Sequence, residues 1–312
     1  MHILVTGGCG YIGSVLVPKL LAADHKVTVV DLQWFGNHLE PHERLEVIKA
    51  NFSTFYPYYV DAIIHLAAIA NDPTGDLDPR LTWETNALGT MQLADMAKRC
   101  GVKHFIYASS GSVYGVSEAE QVTEDLPLVP LSAYNRTKMV AERVVLSYRD
   151  DMVVQVVRPA TVCGVSPRQR LDVVVNQLIA EAVSGGLILK TPNAIRPHIH
   201  IEDMCDLYLW LLEHPECQGV YNAGFENQTV AQTAELVRYF VSYLVGNVQV
   251  ETAQSNDKRS YRLNSDKLMA AGFRPKFTVS DAIRDVAKKL ADGFEDSDIC
   301  HNIRTLKCLQ LA

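Results

Sequence analysis

Short apolar runs alternate with longer amphipathic stretches through the first half of the chain. The apolar runs predict buried β-strands, at His2–Thr6, Lys26–Asp31, Leu45–Lys49, Ala62–Ala67, His104–Ser109 and Val153–Arg158. The amphipathic stretches between them predict helices, at Ile12–Ala23, Thr85–Cys100 and Ala133–Ser147. This alternation is typical of right-handed βαβ units around a parallel sheet, so we expect an α/β fold over residues 1–160.

The pattern changes after about Ala160. Helical stretches are now separated by turns that contain proline and glycine, at Val173–Ser184, Met204–Glu213, Val230–Val245 and Ser280–Asp292. We expect residues 161–312 to form mainly a smaller α+β cap that binds substrate, with some segments returning to the core sheet. The tail after Phe294 shows no clear pattern, and we predict no structure for it.

Composition and charge narrow the class of protein. The chain has 312 residues, of which 48% are hydrophobic, enough to bury the core of one large unit or two fused ones. A net charge of -7 argues against a general nucleic-acid surface. The seven cysteines are odd in number and form no CxxC pair, so we expect reduced thiols in a cytoplasmic protein and no metal site. No signal peptide and no membrane span is expected.

A glycine-rich turn follows the first predicted strand and opens the first helix. Gly7, Gly10 and Gly13 have the spacing GxxGxxG, which lets a pyrophosphate approach the backbone N–H groups at a helix N-terminus. Asp31 ends the second strand, where a carboxylate accepts hydrogen bonds from the adenosine ribose. Because a carboxylate repels a 2′-phosphate and neither Leu32 nor Gln33 compensates, NAD is favoured over NADP. Together with the alternating pattern, this turn predicts a Rossmann-type doubly wound parallel sheet. The alternative interpretation of Asp31 is a solvated residue at the end of a strand, without a role in cofactor binding.

A second group of residues carries proton-transfer chemistry. Ser109 and Ser110 stand at the end of a predicted strand, and Tyr134 and Lys138 lie one turn apart on a predicted helix. An ammonium beside a tyrosine favours the phenolate, so this pair can move a proton to or from a carbinol while a nicotinamide exchanges hydride. A serine hydroxyl can hold the reacting oxygen. The order of these blocks, after the glycine turn, predicts an NAD-dependent oxidoreductase.

At these residues the chain resembles the extended short-chain dehydrogenase/reductase family, which contains nucleotide-sugar epimerases and dehydratases. The resemblance covers roughly residues 1–290, and its motifs are TGGCGYIGS, IIHLAA, ETNALGT, ASSGSVYG, YNRTK, RPATVCG, RPHIHIED and YNAG. It implies that Ser110 holds the reacting oxygen, that Tyr134 is the acid/base, and that Lys138 tunes it and binds the nicotinamide ribose. It also implies that Arg196 and Arg259 contact the nucleotide diphosphate.

The resemblance extends to two sets of binding residues. The expected NAD-binding residues are Gly7, Gly10, Tyr11, Ile12, Gly13, Asp31, Leu32, Asn51, Phe52, Leu66, Ala67, Ala68, Asn86, Ser109, Tyr134, Lys138 and Pro159. The expected substrate-binding residues are Ser110, Ser112, Thr161, Arg168, Arg170, Asn176, Arg196 and Arg259. The family usually carries an aspartate where Asn51 stands. The loop Asn71–Arg80 is either a substrate lid or a solvated crossover.

The same resemblance limits the reaction. The family's 4,6-dehydratases carry an acidic pair directly after the serine, where this chain has Gly111 and Ser112. What remains is redox chemistry at a ring carbon, commonly C4: an epimerase in the first place, a ketoreductase or dehydrogenase as the alternative, and a catalytically silent NAD-binding protein as a third reading. The stretch Ala160–Asp172 resembles a subgroup that works at C4 of GDP-linked heptoses or deoxysugars.

Two of the predicted helices carry more apolar residues than one stripe can hold. In Thr85–Cys100 these are Leu88, Met91, Leu93 and Met96; in Ala133–Ser147 they are Val140, Ala141, Val144, Val145 and Leu146. A helix on one sheet face needs a single stripe, so the surplus predicts a second partner. In the resembling family these helices pair across a two-fold axis, which predicts a homodimer. The alternative is burial beneath the cap or a loop.

Overall fold

The computed structural model describes residues 1–117, 119–190, 193–252 and 260–309. Its strands, in chain order, are β1 (His2–Thr6), β2 (Lys26–Asp31), β3 (Leu45–Lys49), β4 (Ala62–His65), β5 (His104–Ala108), β6 (Val153–Pro159), β7 (Thr161–Cys163), β8 (Leu187–Lys190), β9 (Ile195–His200), β10 (Gly219–Ala223), β11 (Glu226–Thr229) and β12 (Gln249–Thr252). Its α-helices are α1 (Gly13–Ala22), α2 (Asp72–Gly75), α3 (Pro79–Trp83), α4 (Thr90–Arg99), α5 (Ala133–Leu146), α6 (Val174–Gly185), α7 (Ile201–Glu213), α8 (Val230–Val245), α9 (Asp266–Ala271), α10 (Val279–Ala291) and α11 (Asn302–Cys308).

Within the described residues, seven parallel strands form the central sheet in the order β10-β6-β5-β4-β1-β2-β3. Strands β1, β4 and β5 are almost wholly buried, as expected for a parallel sheet covered on both faces. The order reverses at β1, where β4 and β2 lie on its two sides. Such a switch point opens a crevice beyond the carboxyl ends of the strands. The predicted doubly wound sheet is therefore confirmed.

Helices cover the two faces of the sheet. On one face, α1 and α7 pack their apolar stripes onto β1, β4 and β5. On the other, α4 and α5 bury Leu93, Ala97, Ala141 and Val145 against the same strands. The helix expected at Thr85–Cys100 begins with a π-helical segment, Glu84–Gly89, before α4. Helix α7 starts three residues earlier than expected, because the His200 side chain caps its N-terminus by accepting from the Glu202 N–H at 3.1 Å.

The second half of the chain builds a smaller layer beside the carboxyl ends of the central strands. Helices α6, α8 and α10 pack around a separate apolar cluster, next to the short sheets β11-β9-β7 and β12-β8. Strand β10 leaves this half and joins the edge of the central sheet beside β6. The tail, for which we predicted no structure, contains a 3-10 turn at Asp298–Cys300 and then α11. No α-helix in the described ranges combines the length and apolarity needed to cross a bilayer.

A buried ion pair fastens α5 to the sheet. Both carboxylate oxygens of Glu142 accept from Arg158 of β6, at 2.5 and 3.1 Å, and one of them also accepts from the Ser109 hydroxyl at 2.9 Å. Arg158 also donates to the Tyr114 hydroxyl at 2.5 Å, and Tyr114 donates to Asn222 of β10 at 2.8 Å. Each charge is therefore paired and hydrogen-bonded, which is what a buried pair needs. The network joins one helix to two strands.

Removing one partner of this pair should destabilise the fold. Arg158→Met leaves the Glu142 carboxylate buried without its cation, so we expect the free energy of unfolding to fall by about 3–5 kcal/mol. Urea unfolding followed by circular dichroism measures this. The matched control is Arg80→Met in the exposed Arg80–Glu84 pair, for which we expect a loss of about 0.5 kcal/mol or less. Equal small losses in both variants would show that the buried pair does not fasten α5.

Candidate active site

The glycine turn lies where β1 ends and packs against the end of β4. Gly7 has a φ of +72°, and a Cβ atom there would lie 2.7 Å from the backbone of Ala67. A Cβ on Gly13 would lie 2.5 Å from the Cα of Gly8. Both distances are shorter than atoms tolerate, so side chains are excluded at these positions. The turn therefore presents bare backbone to a cleft beyond the strand ends.

The cleft has two halves, and its first half follows the glycine turn. Of the residues predicted to bind NAD, those that line this half are Gly7, Gly10, Tyr11, Ile12, Gly13, Asp31, Leu32, Phe52, Leu66, Ala67 and Ala68. They come from three separate strand ends and the turn that opens α1. A glycine turn, a strand-end carboxylate and apolar walls fit a dinucleotide.

Asp31 is held in place by backbone donors. Its carboxylate accepts from the N–H of Cys9 at 3.0 Å and from the N–H of Gln33 at 2.7 Å. Burial raises the pKa of Asp31, while these two hydrogen bonds and the positive charge of Arg168 act in the opposite direction. The sequence neighbours of Asp31 include no arginine, but the fold brings Arg168 towards it from the second half of the chain.

The second half of the cleft contains the predicted proton-transfer residues. Of the remaining predicted residues, it is lined by Ser109, Ser110, Ser112, Tyr134, Lys138, Pro159, Thr161, Arg170 and Arg196. Residues that line both halves are Tyr11, Ile12, Leu66, Ala68, Ala70 and Arg170. The two halves therefore form one continuous cleft. A dinucleotide in the first half can reach a substrate in the second.

Lys138 is a buried cation. Its Nζ donates to the Ala108 carbonyl at 2.7 Å and lies 4.9 Å from the centre of the Tyr107 ring. Burial lowers the pKa of Lys138 to about 7. Both protonation states are consequently populated near neutral pH. Tyr134 precedes Lys138 by one turn of α5, and both side chains line the same half of the cleft.

A chain of hydrogen bonds orders the serines beside Tyr134. The Ser112 hydroxyl donates to Asn135 Oδ1 at 2.5 Å, and Asn135 Nδ2 donates to Asp72 at 2.7 Å. The Ser110 and Ser112 hydroxyl oxygens are 2.7 Å apart. Because Ser112 already donates to Asn135, the proton in this contact comes from Ser110. The Ser110 hydroxyl therefore lines this half of the cleft as a hydrogen-bond donor.

Three predicted binding residues are placed outside the cleft lining. Asn51 caps the 3-10 turn at Phe52–Thr54 by accepting from the Ser53 N–H at 2.9 Å. Asn86 bonds both backbone groups of Ile69, at 2.8 and 3.0 Å, and so supports the cleft wall from behind. Asn176 is fully buried and donates to the Tyr11 hydroxyl at 3.0 Å. The amides of Asn86 and Asn176 are hydrogen-bonded within the protein, which fits supporting roles, whereas the contact expected between Asn51 and the cofactor stays a prediction.

Two predicted substrate arginines need separate comment. Arg168 lines the first half of the cleft and not the second, so the structure places it beside the cofactor residues. Its sequence neighbourhood resembled a substrate loop and gave no sign of this position. Arg259 lies outside the described residues.

Several cleft residues were missed from the sequence. In the second half they include Asp72 and Tyr261, and in the first half Trp34, Phe35 and Asn302. The loop Asn71–Arg80, left open between lid and crossover, supplies Asp72 and so forms part of the cleft wall. A Cβ on Gly75 of this loop would lie 2.9 Å from that of Tyr134, which shows how closely the loop packs on α5. The mixture of Asp, Pro and Gly in this loop is the feature of the sequence that could have indicated a place in the cleft wall.

Comparison with known proteins agrees with this geometry. Residues 3–224 match the NAD dependent epimerase/dehydratase family, and the chain belongs to that family. Its assignment as an NAD-dependent enzyme of the short-chain dehydrogenase/reductase type, with NAD as cofactor, is thereby confirmed.

Individual relatives share part of their length with this chain. UDP-glucuronic acid decarboxylase 1 of Danio rerio is 30% identical over 77% of this chain and 61% of its own length. Putative UDP-arabinose 4-epimerase 4 of Arabidopsis thaliana is 31% identical over 72% of this chain and 60% of its own length. The matched part is thus about three fifths of the length of these curated relatives.

Among solved structures, the UDP-glucose 4-epimerase of Thermus thermophilus in complex with NAD superposes with a TM-score of 0.81. It is 27% identical, and the match covers 94% of this chain and 99% of the other. These three relatives are named for UDP-linked sugars, and the narrower resemblance to enzymes of GDP-linked heptoses is not confirmed.

The burial of Lys138 predicts how stability depends on pH. Its pKa is about 7 in the folded chain and about 10.4 when unfolded, so between these values the unfolded state binds more protons. The free energy of unfolding therefore gains from this group as pH rises above 7, and the full cost of burying the ammonium is present below 7. Lys138→Met removes that contribution.

Urea unfolding of cofactor-free protein at several pH values between about 6 and 9 tests this. The wild-type chain should gain stability relative to Lys138→Met across that range. Lys103→Met, at an exposed position, should run parallel to the wild type. If Lys138→Met also runs parallel to the wild type, the group does not titrate in this window.

Proposed function

We propose that this enzyme interconverts the C4 epimers of a nucleotide-linked sugar through a keto-sugar. The observation that carries the proposal is that Ser110, Tyr134 and Lys138 line one half of a cleft whose other half follows the glycine turn. Bound NAD supplies a hydride acceptor, and afterwards a hydride donor, at the sugar carbon. The chain's own residues must then bind the sugar, move one proton and leave the ring free to turn.

The proton moves through Tyr134. Its hydroxyl oxygen takes the proton from the C4 hydroxyl during oxidation and returns it during reduction. The protonated form of Lys138, one turn away, favours the phenolate that this step requires. The Ser110 hydroxyl donates to the C4 oxygen and holds it in line. Because the keto-sugar has to present its other face before reduction, these residues should grip the reacting oxygen and not the whole ring.

The nucleotide end supplies the firm attachment. Arg196 of β9 is buried and lines the second half of the cleft, and its planar guanidinium suits paired phosphate oxygens. Ser112 and Thr161 are proposed to contact the remaining substrate. We propose UDP as the nucleotide, because the relatives at 30% and 31% identity are named for UDP-linked sugars. GDP-linked sugars, suggested by Ala160–Asp172, are the second class to test.

Incubating the purified enzyme in deuterium oxide tests the reaction. Without added cofactor, UDP-glucose, UDP-glucuronic acid and UDP-arabinose are supplied in turn, and products are read by proton NMR. We expect one of them to reach a mixture of C4 epimers with no deuterium at C4, because the hydrogen never leaves the site. Tyr134→Phe should lower turnover by roughly 10² to 10⁴ while sugar affinity is nearly unchanged.

Other outcomes contradict the proposal. Turnover that needs added NADH and yields a single reduced product would identify a ketoreductase. Substrate binding without any turnover, in wild type and in Tyr134→Phe alike, would identify a catalytically silent protein. Activity with GDP-linked sugars alone would support the proposed reaction and contradict the proposal of UDP as the nucleotide.

We further propose a homodimer formed through α4 and α5. Leu93 and Met96 are buried on the sheet side, whereas Leu88 and Met91 remain 50% and 42% exposed. Of the surplus apolar residues predicted from the sequence, Leu88 and Met91 are therefore left at the surface, while Val140, Val144 and Leu146 of α5 are half-buried. Two such faces related by a two-fold axis would cover each other.

Light scattering at micromolar concentration tests the assembly. We expect the wild-type chain to give about twice the 34.7 kDa of one protomer, and the double variant Leu88→Glu/Met91→Glu to give one protomer. Tyr243→Glu, which changes an exposed aromatic residue on α8, should remain dimeric. A wild-type mass near 34.7 kDa, unchanged by NAD, would overturn the proposed dimer.

A further inference from the structure

The C-terminal segment, Asp298–Cys308, returns to the first half of the cleft. The Leu171 N–H donates to the Cys300 carbonyl at 2.9 Å, and the Asn302 N–H donates to the Asp172 carboxylate at 2.9 Å. The segment is thereby joined to the loop that carries Arg168 and Arg170. No motif in the sequence points to this contact, and nothing in the mechanism above uses it.

The side chain of Asn302 bridges two parts of the cleft. Its Oδ1 accepts from Arg168 at 2.8 Å, and its Nδ2 donates to the Ala70 carbonyl at 3.2 Å. Asn302 is 5% exposed and lines the same half of the cleft as the glycine turn. One amide therefore connects the cap loop and the C-terminal segment to the loop that follows β4.

Two arginines face this half with unused donors. Arg168 is 2% exposed and stacks on Phe35 at 3.9 Å from the ring centre, and Arg170 donates to Asp172 at 2.6 Å. Within the part of the chain that the structure describes, Nε of Arg168 and Nη2 of Arg170 are buried and make no hydrogen bond. Burial, and the charge of Arg170, lower the pKa of Arg168 to about 10, so its guanidinium is still a cation at neutral pH.

Buried donors without partners are costly, and two neighbouring cations repel each other. Asp172 pairs with Arg170, and the carboxylate of Asp31 lies within electrostatic range of Arg168, yet the two unused donors still lack an acceptor in a cleft lined by the bare backbone of the glycine turn. A diphosphate would pair with both guanidinium groups and accept from their unused donors. The cofactor's diphosphate is the anion expected in this half of the cleft, since the glycine turn and Asp31 line it too.

We infer that the C-terminal segment is a clasp, in which Asn302 and Asp172 hold Arg168 and Arg170 to bind the diphosphate of NAD and slow its release. The inference depends on the family's cofactor and is independent of the sugar and of the C4 reaction. Asn302 and Asp172 are positioning residues. Arg168 and Arg170 are the residues that touch the cofactor.

Titration of cofactor-stripped enzyme with NADH, with no sugar present, tests the clasp. Energy transfer from tryptophan to NADH gives the affinity, and stopped-flow displacement by excess NAD gives the release rate. We expect Arg168→Met to raise the Kd for NADH by about 10- to 100-fold, as for a lost charge-assisted hydrogen bond. Adenosine, which lacks phosphate, should bind Arg168→Met and wild type equally.

Asn302 is tested by a graded pair of variants. Asn302→Ala should speed NADH release by roughly fivefold or more, because Arg168 loses the acceptor that positions it. Asn302→Gln keeps both the amide acceptor and the amide donor, one methylene further from the backbone, and should release NADH more slowly than Asn302→Ala. Arg304 lies on the same helix, and its side chain is 54% exposed. Arg304→Ala should therefore leave the rate of NADH release unchanged.

The outcomes separate the sources of the anion. If Arg168→Met and Arg170→Met weaken binding of UDP but not of NADH, the arginines belong to the substrate's diphosphate and the inference fails. If adenosine binding falls as much as NADH binding, the variants have damaged the cleft as a whole and the inference also fails. Should Arg168→Met not fold, Arg168→Lys retains the charge without the planar fork and should still raise the NADH Kd.

Discussion

The position of the proposed catalytic side chains on α5 depends on the buried ion pair between Glu142 and Arg158. Tyr134, Lys138 and Glu142 follow one another at intervals of four residues and so share one face of α5. Glu142 is fixed to β6 by its ion pair, which sets the rotation of α5 and its distance from the sheet. Tyr134, two turns earlier on the same face, then reaches the cleft. An apolar pair at the same two positions would hold the helix to the sheet without fixing its rotation. The ion pair does both, because its hydrogen bonds have defined directions.

The same ion pair also fixes the serine-containing segment that follows β5. One carboxylate oxygen of Glu142 also accepts from Ser109, directly before Ser110, so the serine block and the tyrosine helix have a common anchor. The cost of burying two charges is met by hydrogen bonds to the neutral hydroxyl groups of Ser109 and Tyr114, which follow β5. A mechanism that moves one proton over a short distance needs this rigidity, because small displacements of a catalytic group are costly in rate.

Local patterns predicted the strands and helices well, and they failed where the chain stops being periodic. Strand β4 was expected to reach Ala67 but ends at His65, because the next residues turn aside to line the cleft. Apolar composition cannot distinguish a buried strand from a buried wall. The cofactor turn and the Tyr–Lys pair were visible because each lies within one short stretch. The place of Arg168, predicted as a substrate residue, and of Asn302 in the first half of the cleft could not be seen in this way, because it results from contacts between distant segments. The seven-residue helix that carries Asn302 also has too little periodicity to be recognised.

The two halves of the cleft are built for different tasks, and this difference follows from their chemistry. The first half combines bare backbone, an apolar wall and two arginines held by a cap loop and the C-terminal segment. Such a site holds an anion from several sides and releases it slowly. The second half places short hydroxyl side chains around the reacting oxygen, with Arg196 further along the cleft lining. The proposed reaction requires a retained cofactor and a loosely held sugar ring, because the hydride must return to the same carbon after the ring has turned.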